Sequence, residues 1–306
     1  MPPYSTPTTT ARWVVPVLVP LLAAMVLSRA LAELPVGLTF GAVLGSTALW
    51  AAILVVTVLV TGGLAIACSR RRSGAPGREP ALGTASGRWR ALLVVCAFVV
   101  LTSVAARLPR IPLAESFDHN WQGKVIDLLW VGVLAAVLWR WARSEMGLTW
   151  RLRPGSRRPT LIVIGGVFTV MVGLTLITVW LDPGARQLVG IEQLLYNATI
   201  ANLTEELIWR GAMLAVLDRA FGTPWRLAGA PVGWGLIIST VAFGAGHTVL
   251  LSPHGEFSLT IAGGVFAAVM GVLLAWVWAY TRSIWPAFVL HCAPEVAVDV
   301  GMLASG

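Results

Sequence analysis

Charge is what this chain has least of. Asp, Glu, Lys and Arg make up 12% of its 306 residues, against roughly 25% in an ordinary soluble domain. Hydrophobic residues make up 57% and the mean hydropathy is +0.79, which is the composition of a membrane protein. Lysine is almost missing: Lys124 is the single one, so the formal net charge of +8 rests on arginine. The arginines fall in short breaks between apolar runs, the pattern of cytoplasmic loops, and not in a basic face, which argues against a nucleic-acid partner. Cysteine is scarce as well. Cys68, Cys96 and Cys292 lie in or beside apolar runs without CxxC spacing, which excludes a zinc ribbon and a disulfide framework.

What is present in quantity is apolar sequence. Nine runs stand out, roughly 13–32, 38–68, 91–107, 125–141, 160–181, 188–217, 231–251, 259–280 and 284–303, several reaching the ~20 residues that cross a bilayer. The predicted fold class is therefore all-α, a polytopic transmembrane helical bundle with about 8–9 membrane segments, facing the lipid bilayer. The breaks "SRRRSGAPGREPALGTASGRWR" (69–90) and "RWARSEMGLTWRLRPGSRRP" (140–159) are strongly basic, the first too rich in Gly and Pro to be helical throughout. Placing both in the cytoplasm puts Arg219, Arg226 and Arg282 inside and the stretches near 107–124, 182–192 and 254–256 outside. The N-terminus is then cytoplasmic and the C-terminus outside. Residues 1–11 read as a disordered tail, 12–144 as N-terminal membrane helices without assigned work, and 145–306 as the core that carries the chemistry. Ala30-Leu31-Ala32 has the small-residue pattern of a signal-peptide cleavage site, but Arg29 beside it argues against processing. Of the fifteen tryptophans, Trp276 and Trp278 lie deep and are expected to fill helix contacts.

Ionisable side chains at membrane depth are expensive and by default functional. Three clusters stand out, all in the C-terminal half. In "EELIWR" (205–210), Glu206 and Arg210 are i,i+4 partners on one helical face, while Glu205 points about 100° away and is left unpaired. In "FGAGH" (243–247), Phe243 and His247 share a face, and Gly244 and Gly246 permit close helix packing. In "HCAPE" (291–295), His291 and Glu295 are again i,i+4 partners, with Asp299 one turn further and Pro294 loosening the helix. His119 and His254 fall in outer loops as solvated residues.

A glutamate and two histidines that converge support two chemistries. Glu205, His247 and His291 match a Zn²⁺ site with an open position for water. They equally match metal-free catalysis, in which a carboxylate deprotonates water and histidines polarise a carbonyl. Measured along continuous helices the three do not share one level: Glu205 lies ~21 Å from Arg219, His247 ~30 Å from Arg226 and His291 ~13 Å from Arg282 at 1.5 Å per residue.

The ordered set EExxxR, FxxxH and a late membrane histidine resembles the CPBP intramembrane proteases, the CAAX prenyl endopeptidase-like and abortive-infection family. "SIWPAFVLHCAPE" (283–295) is similar to the family's approach to its last histidine, and "EMGLTWRLRPGS" (145–156) to its Gly-Leu loop. The resemblance covers roughly 145–303. It implies a peptidase, of CAAX-type metalloprotease or glutamate-protease chemistry, acting on a peptide or protein substrate at the membrane. By that resemblance Glu205 activates water with His247 assisting, Glu206 and Arg210 orient the site, and His291 faces the oxyanion or a metal. It also implies a small secreted peptide as substrate, and the Arg- and Ala-rich usage suits a bacterial source.

One position departs from the pattern. Where the family has Asn or Asp four residues after the last histidine, this chain has Glu295. An ionised glutamate accepts hydrogen bonds and cannot donate one to an oxyanion. Glu295 is then protonated, or ligates metal or holds His291 cationic, or the site has lost its activity. The alternatives to an intramembrane endopeptidase are accordingly an inactive immunity or scaffold protein of the same fold and, more remotely, an ion-coupled carrier.

Overall fold

Apolar runs become helices because a chain in hydrocarbon has to satisfy its backbone N–H and C=O groups internally. The computed structural model describes residues 4–73, 84–252 and 255–305. Helices α1 (Val14–Leu31), α2 (Phe40–Ser73) and α3 (Ala85–Arg107) come first. A four-residue α4 (Pro112–Glu115) precedes α5 (Trp121–Val137) and α6 (Trp139–Glu145), and α7 (Arg157–Leu181) follows. Next come α8 (Ile191–Ala198), α9 (Ile200–Glu206), a π-helical stretch (Leu207–Leu214) and α10 (Ala215–Phe221). The hairpin of β1 (Trp225–Leu227) and β2 (Ala230–Val232) leads into α11 (Trp234–Thr248). A second hairpin, β3 (Val249–Leu251) with β4 (Phe257–Leu259), leads into α12 (Ile261–Thr281) and α13 (Ile284–Ala304).

Among the described residues six helices are long and apolar enough to cross a membrane: α1, α2, α3, α7, α12 and α13. The pair α5–α6, bent by 104°, makes a seventh if counted as one broken span. That is fewer than the 8–9 segments expected. The run 188–217 is divided at Thr199, whose φ of −135° and ψ of −99° end α8. The run 231–251 gives a helix of 15 residues, about 22 Å long against a hydrocarbon core of roughly 30 Å.

Contacts among the connections gather in two groups. At one end the Tyr4 hydroxyl donates to Glu145 Oε1 at 2.5 Å, and Arg219 pairs with the same carboxylate. The tail expected to be disordered is thus packed over residues 4–11. Thr6 is buried, its hydroxyl bonding Thr8 and Thr9 in a local turn, and Trp13 Nε1 donates to the Pro7 carbonyl. At the other end Glu192 gathers residues 118–121, and Arg107 donates to the Leu251 carbonyl. His254 and residues 74–83, the middle of the first basic break, lie outside the described residues.

The loop after α6 sets the position of α13. Gly147 has φ +78°, and a Cβ there would meet Trp278 Nε1 at 2.9 Å, so glycine alone fits. Its carbonyl accepts from Ile284 N at 3.0 Å, Arg153 N donates to Thr281 O, and Ser283 Oγ donates to Thr149 O. The Gly-Leu loop is therefore a clasp on the α12–α13 turn. Trp278, fully buried, donates to Met146 O, and Trp276 to Leu227 O, so both deep tryptophans do fill helix contacts. Each satisfies its one N–H donor there.

Candidate active site

Three helices and a fourth that sequence reasoning left unassigned meet at the site. Helix α9 packs against α5 and α13, and α11 packs on the π-helical stretch and on α12. Close approach of α11 to α12 depends on paired glycines: a Cβ on Gly264 would lie 1.7 Å from Thr248 Oγ1, and one on Gly244 3.1 Å from the Gly264 carbonyl. That contact fixes the end of α11 from which His247 projects.

Glu206 is the buried anchor. Fully enclosed, its Oε1 accepts from Arg210 Nη1 at 2.8 Å, the predicted i,i+4 pair, and faces His291 Nδ1 at 2.8 Å. Because a carboxylate only accepts, the proton of that second bond sits on Nδ1, which leaves Nε2 of His291 for chemistry. The Arg210 guanidinium lies 4.6 Å from the centre of the Phe243 ring. The same ring is 4.5 Å from the His247 ring and 5.9 Å from that of His291. Phe243 is thus the apolar spacer around which both histidines and the arginine are arranged. His247 Nδ1 donates to the Phe243 carbonyl at 2.8 Å, which aims the ring and again leaves Nε2 outside that bond. His247 is within electrostatic reach of Glu205.

Glu205 is not unpaired, as the helical spacing suggested. Its Oε1 accepts from Lys124 Nζ at 2.6 Å, while Oε2 stands 3.9 Å from His291 Nε2. With 26% of its side chain exposed it is the site's accessible carboxylate, next to a Glu206 that is closed off. Lys124 reaches it from the first turns of α5, whose N-cap Asn120 accepts from Gly123 N and donates to Ala106 O of α3. The lysine was legible only as the chain's single one, at the edge of an apolar run.

The third cluster is arranged differently from its spacing. Glu295 is not hydrogen-bonded to His291, because Glu206 already holds that ring. Glu295 Oε2 accepts instead from Asn202 Nδ2 at 2.7 Å. One turn on, the Asp299 carboxylate accepts from Gln193 and Asn197. Carboxamides of α8 and α9 therefore clamp the acids of α13, a set that no motif announced. The mismatch of levels narrows for His247. Residues 225–233 are a hairpin and its exit, so His247 sits only ~20 Å from the start of its helix at 1.5 Å per residue.

The donor set can be tested against the metal that the motifs allow. Both histidines carry Nδ1 bonds of the kind that orient metal ligands. The third donor, however, is tied to an ammonium at 2.6 Å, and a cation held there repels a second. Among the described residues no three His, Cys, Asp or Glu groups are placed to hold a metal ion. Glu205, His247 and His291 as arranged do not fit Zn²⁺.

Residues 187–296 match the model of the family described as Type II CAAX prenyl endopeptidase Rce1-like. Over this segment the chain is similar to that family. The matched segment holds every member of the site named above except Lys124 and Asp299, and it begins ahead of the amide clamp at Gln193. No curated protein and no solved structure matches the chain.

Proposed function

We propose that the protein is an intramembrane endopeptidase that hydrolyses a peptide bond in a membrane-associated or small secreted peptide, with Glu205 activating water. The observation that carries this reading is the placement of Glu205 Oε2 opposite His291 Nε2, 3.9 Å away, a gap whose two sides a single water can touch. Glu205 Oε2 takes the proton as the water oxygen bonds to the scissile carbonyl carbon, and the C–N bond then breaks as that proton passes to the leaving amine. His291, fixed by Glu206, and His247, fixed by the Phe243 carbonyl, present Nε2 atoms that polarise the carbonyl or relay the proton. No step needs a metal.

Depth supports a substrate that comes from one side. Lys124 is the fourth residue of α5 and His247 the last but one of α11, so both lie about one turn or less from the ends that meet the 107–121 and 249–260 connections. With the basic end cytoplasmic, as the arginine distribution favours, the site opens outward, where a secreted peptide is presented.

The test compares membranes from cells expressing the wild type or Glu205→Gln, with new peptide termini identified by mass spectrometry. The expected result is a set of termini that depends on Glu205, with the rate for any one of them reduced about 10²–10⁴-fold at equal protein level. Identical termini in both membranes would sink the reading.

A further inference from the structure

The site uses a base from outside the matched family segment, and its type is informative. Every other Lys/Arg base in the chain is arginine; the one lysine is the residue whose Nζ lies 2.6 Å from Glu205 Oε1. The two side chains differ in geometry. A guanidinium is a planar fork that takes both oxygens of a carboxylate, whereas an ammonium is a compact point charge that can take one. The neighbouring pair differs in access rather than in contact: Arg210 Nη1 also takes a single oxygen of Glu206, but that carboxylate is fully buried and its Oε2 has no hydrogen-bond partner. At Glu205 a single-oxygen contact leaves Oε2 facing His291 Nε2. A forked base there would offer further donors to the second oxygen.

We infer that Lys124 is a positioning residue for the hydrolysis. It pins Glu205 through one oxygen, so that the other faces water and His291, and it supplies the fixed positive charge that this pocket needs beside two acids. The inference rests on the endopeptidase reading above. It also gives the N-terminal helices work: α5, held to α3 by Asn120, brings a working group into the site, so residues 187–296 alone are incomplete as a catalyst.

Three further observations agree. Asp127, one turn along α5, is buried but already engaged by Thr102 and Trp130 Nε1, so Lys124 is directed to Glu205. The Glu206–Arg210 and Glu205–Lys124 pairs each cancel, which leaves Glu295 to be satisfied by the neutral Asn202. A lysine in an apolar helix is costly unless it serves a partner.

The experiment uses the full chain in proteoliposomes, and the discriminating variant is Lys124→Arg. An ion pair that only held the fold would accept arginine. A one-oxygen tether does not. Lys124→Arg is expected to keep the wild-type melting temperature but to lose about 10²-fold in kcat, the scale of a small misplacement of a reacting group, with KM unchanged. The probe is a quenched fluorescent peptide with a prenylated C-terminal cysteine motif, or the peptide identified by the termini comparison. Wild-type kcat in Lys124→Arg overturns the inference and leaves Glu205 as the base. Undiminished cleavage by Glu205→Gln overturns the endopeptidase reading itself. A second measurement needs no turnover. With ¹³C-labelled lysine the chain gives one side-chain resonance, since Lys124 is the single lysine. That resonance is expected to move in Glu205→Gln, and an unmoved resonance also overturns the inference.

Discussion

His291 Nδ1 donates to Glu206 Oε1 across 2.8 Å, joining residues 85 positions apart in sequence. The carboxylate that EExxxR spacing assigns to a helical ion pair with Arg210 is at the same time the carrier of the late histidine. Glu206 therefore couples α9 to α13, and its neighbour Glu205 is positioned relative to His291 because both hang on this one group.

That coupling ranks the charged residues by cost. Arg210 is 3% exposed and its partner fully buried. Arg210→Met leaves a buried carboxylate with one bond fewer, a loss of about 3–5 kcal/mol by analogy with broken buried pairs. Arg219, 41% exposed on Glu145, is expected to cost at most about 1 kcal/mol when replaced by Met. Thermal unfolding of the two variants in one detergent gives the order; equal melting temperatures would contradict the role given to Glu206.

Glycine at 264 makes a second prediction, about geometry. Gly264→Ala places a methyl group against Thr248 Oγ1 and is expected to destabilise the α11–α12 contact by about 1–3 kcal/mol, an overpacking cost. Since Thr248 follows His247, cleavage should fall along with stability. Thr248→Ala removes the clashing hydroxyl but keeps a Cβ that would lie 2.8 Å from the new methyl group, so the double variant should recover part of both. Failure of that rescue, with each single variant well folded, would mean that the contact does not set the height of His247.

How far the sequence carried this site depends on how local each contact is. Glu206 with Arg210 and Phe243 with His247 lie within one helical turn, and spacing alone placed them. The pairs that spacing got wrong, Glu205 without a partner and His291 with Glu295, fail for a common reason. A nearer competitor arrives from another helix, Lys124 from α5 in one case and Glu206 from α9 in the other. Periodicity on one helix carries no information about such partners. The span count failed similarly, because apolar composition in 188–217 and 231–251 could not reveal the break at Thr199 or the hairpins that flank α11.

The third prediction concerns metal. Lys124 occupies one oxygen of Glu205, and the donors do not gather around a point. Dialysis against a strong chelator is therefore expected to leave the rate of Glu205-dependent cleavage within about twofold, far from the several kcal/mol a Lewis acid supplies. Abolished cleavage that returns with added Zn²⁺ would require Lys124 to leave Glu205 in the active form.

The last prediction is a pH dependence at the end of the bundle where Glu192 lies. Glu192 accepts from the backbone N–H groups of Asp118 and His119, from Trp121 Nε1 and from the His119 ring, at 3.0 to 3.3 Å. These bonds favour the ionised form, the two backbone donors most, and bring the carboxyl from its usual 4.5 down to about 2. A depressed carboxylate contributes stability that is complete above its unfolded value and is lost as pH falls through its folded value. The latch between α8 and the start of α5 should thus stay closed from neutral pH down through 4.5 and open only as pH nears 2. Hydrogen exchange at the Asp118 and His119 amides reads it directly. Protection corrected for intrinsic rates should stay flat through the carboxylate range in the wild type and be lost at all pH values in Glu192→Gln. Because Lys124 lies on the segment that the latch holds, the same variant should also slow cleavage while leaving Glu206, Arg210 and His291 in place. A wild-type opening centred near 4.5 would show that these donors do not stabilise the Glu192 anion.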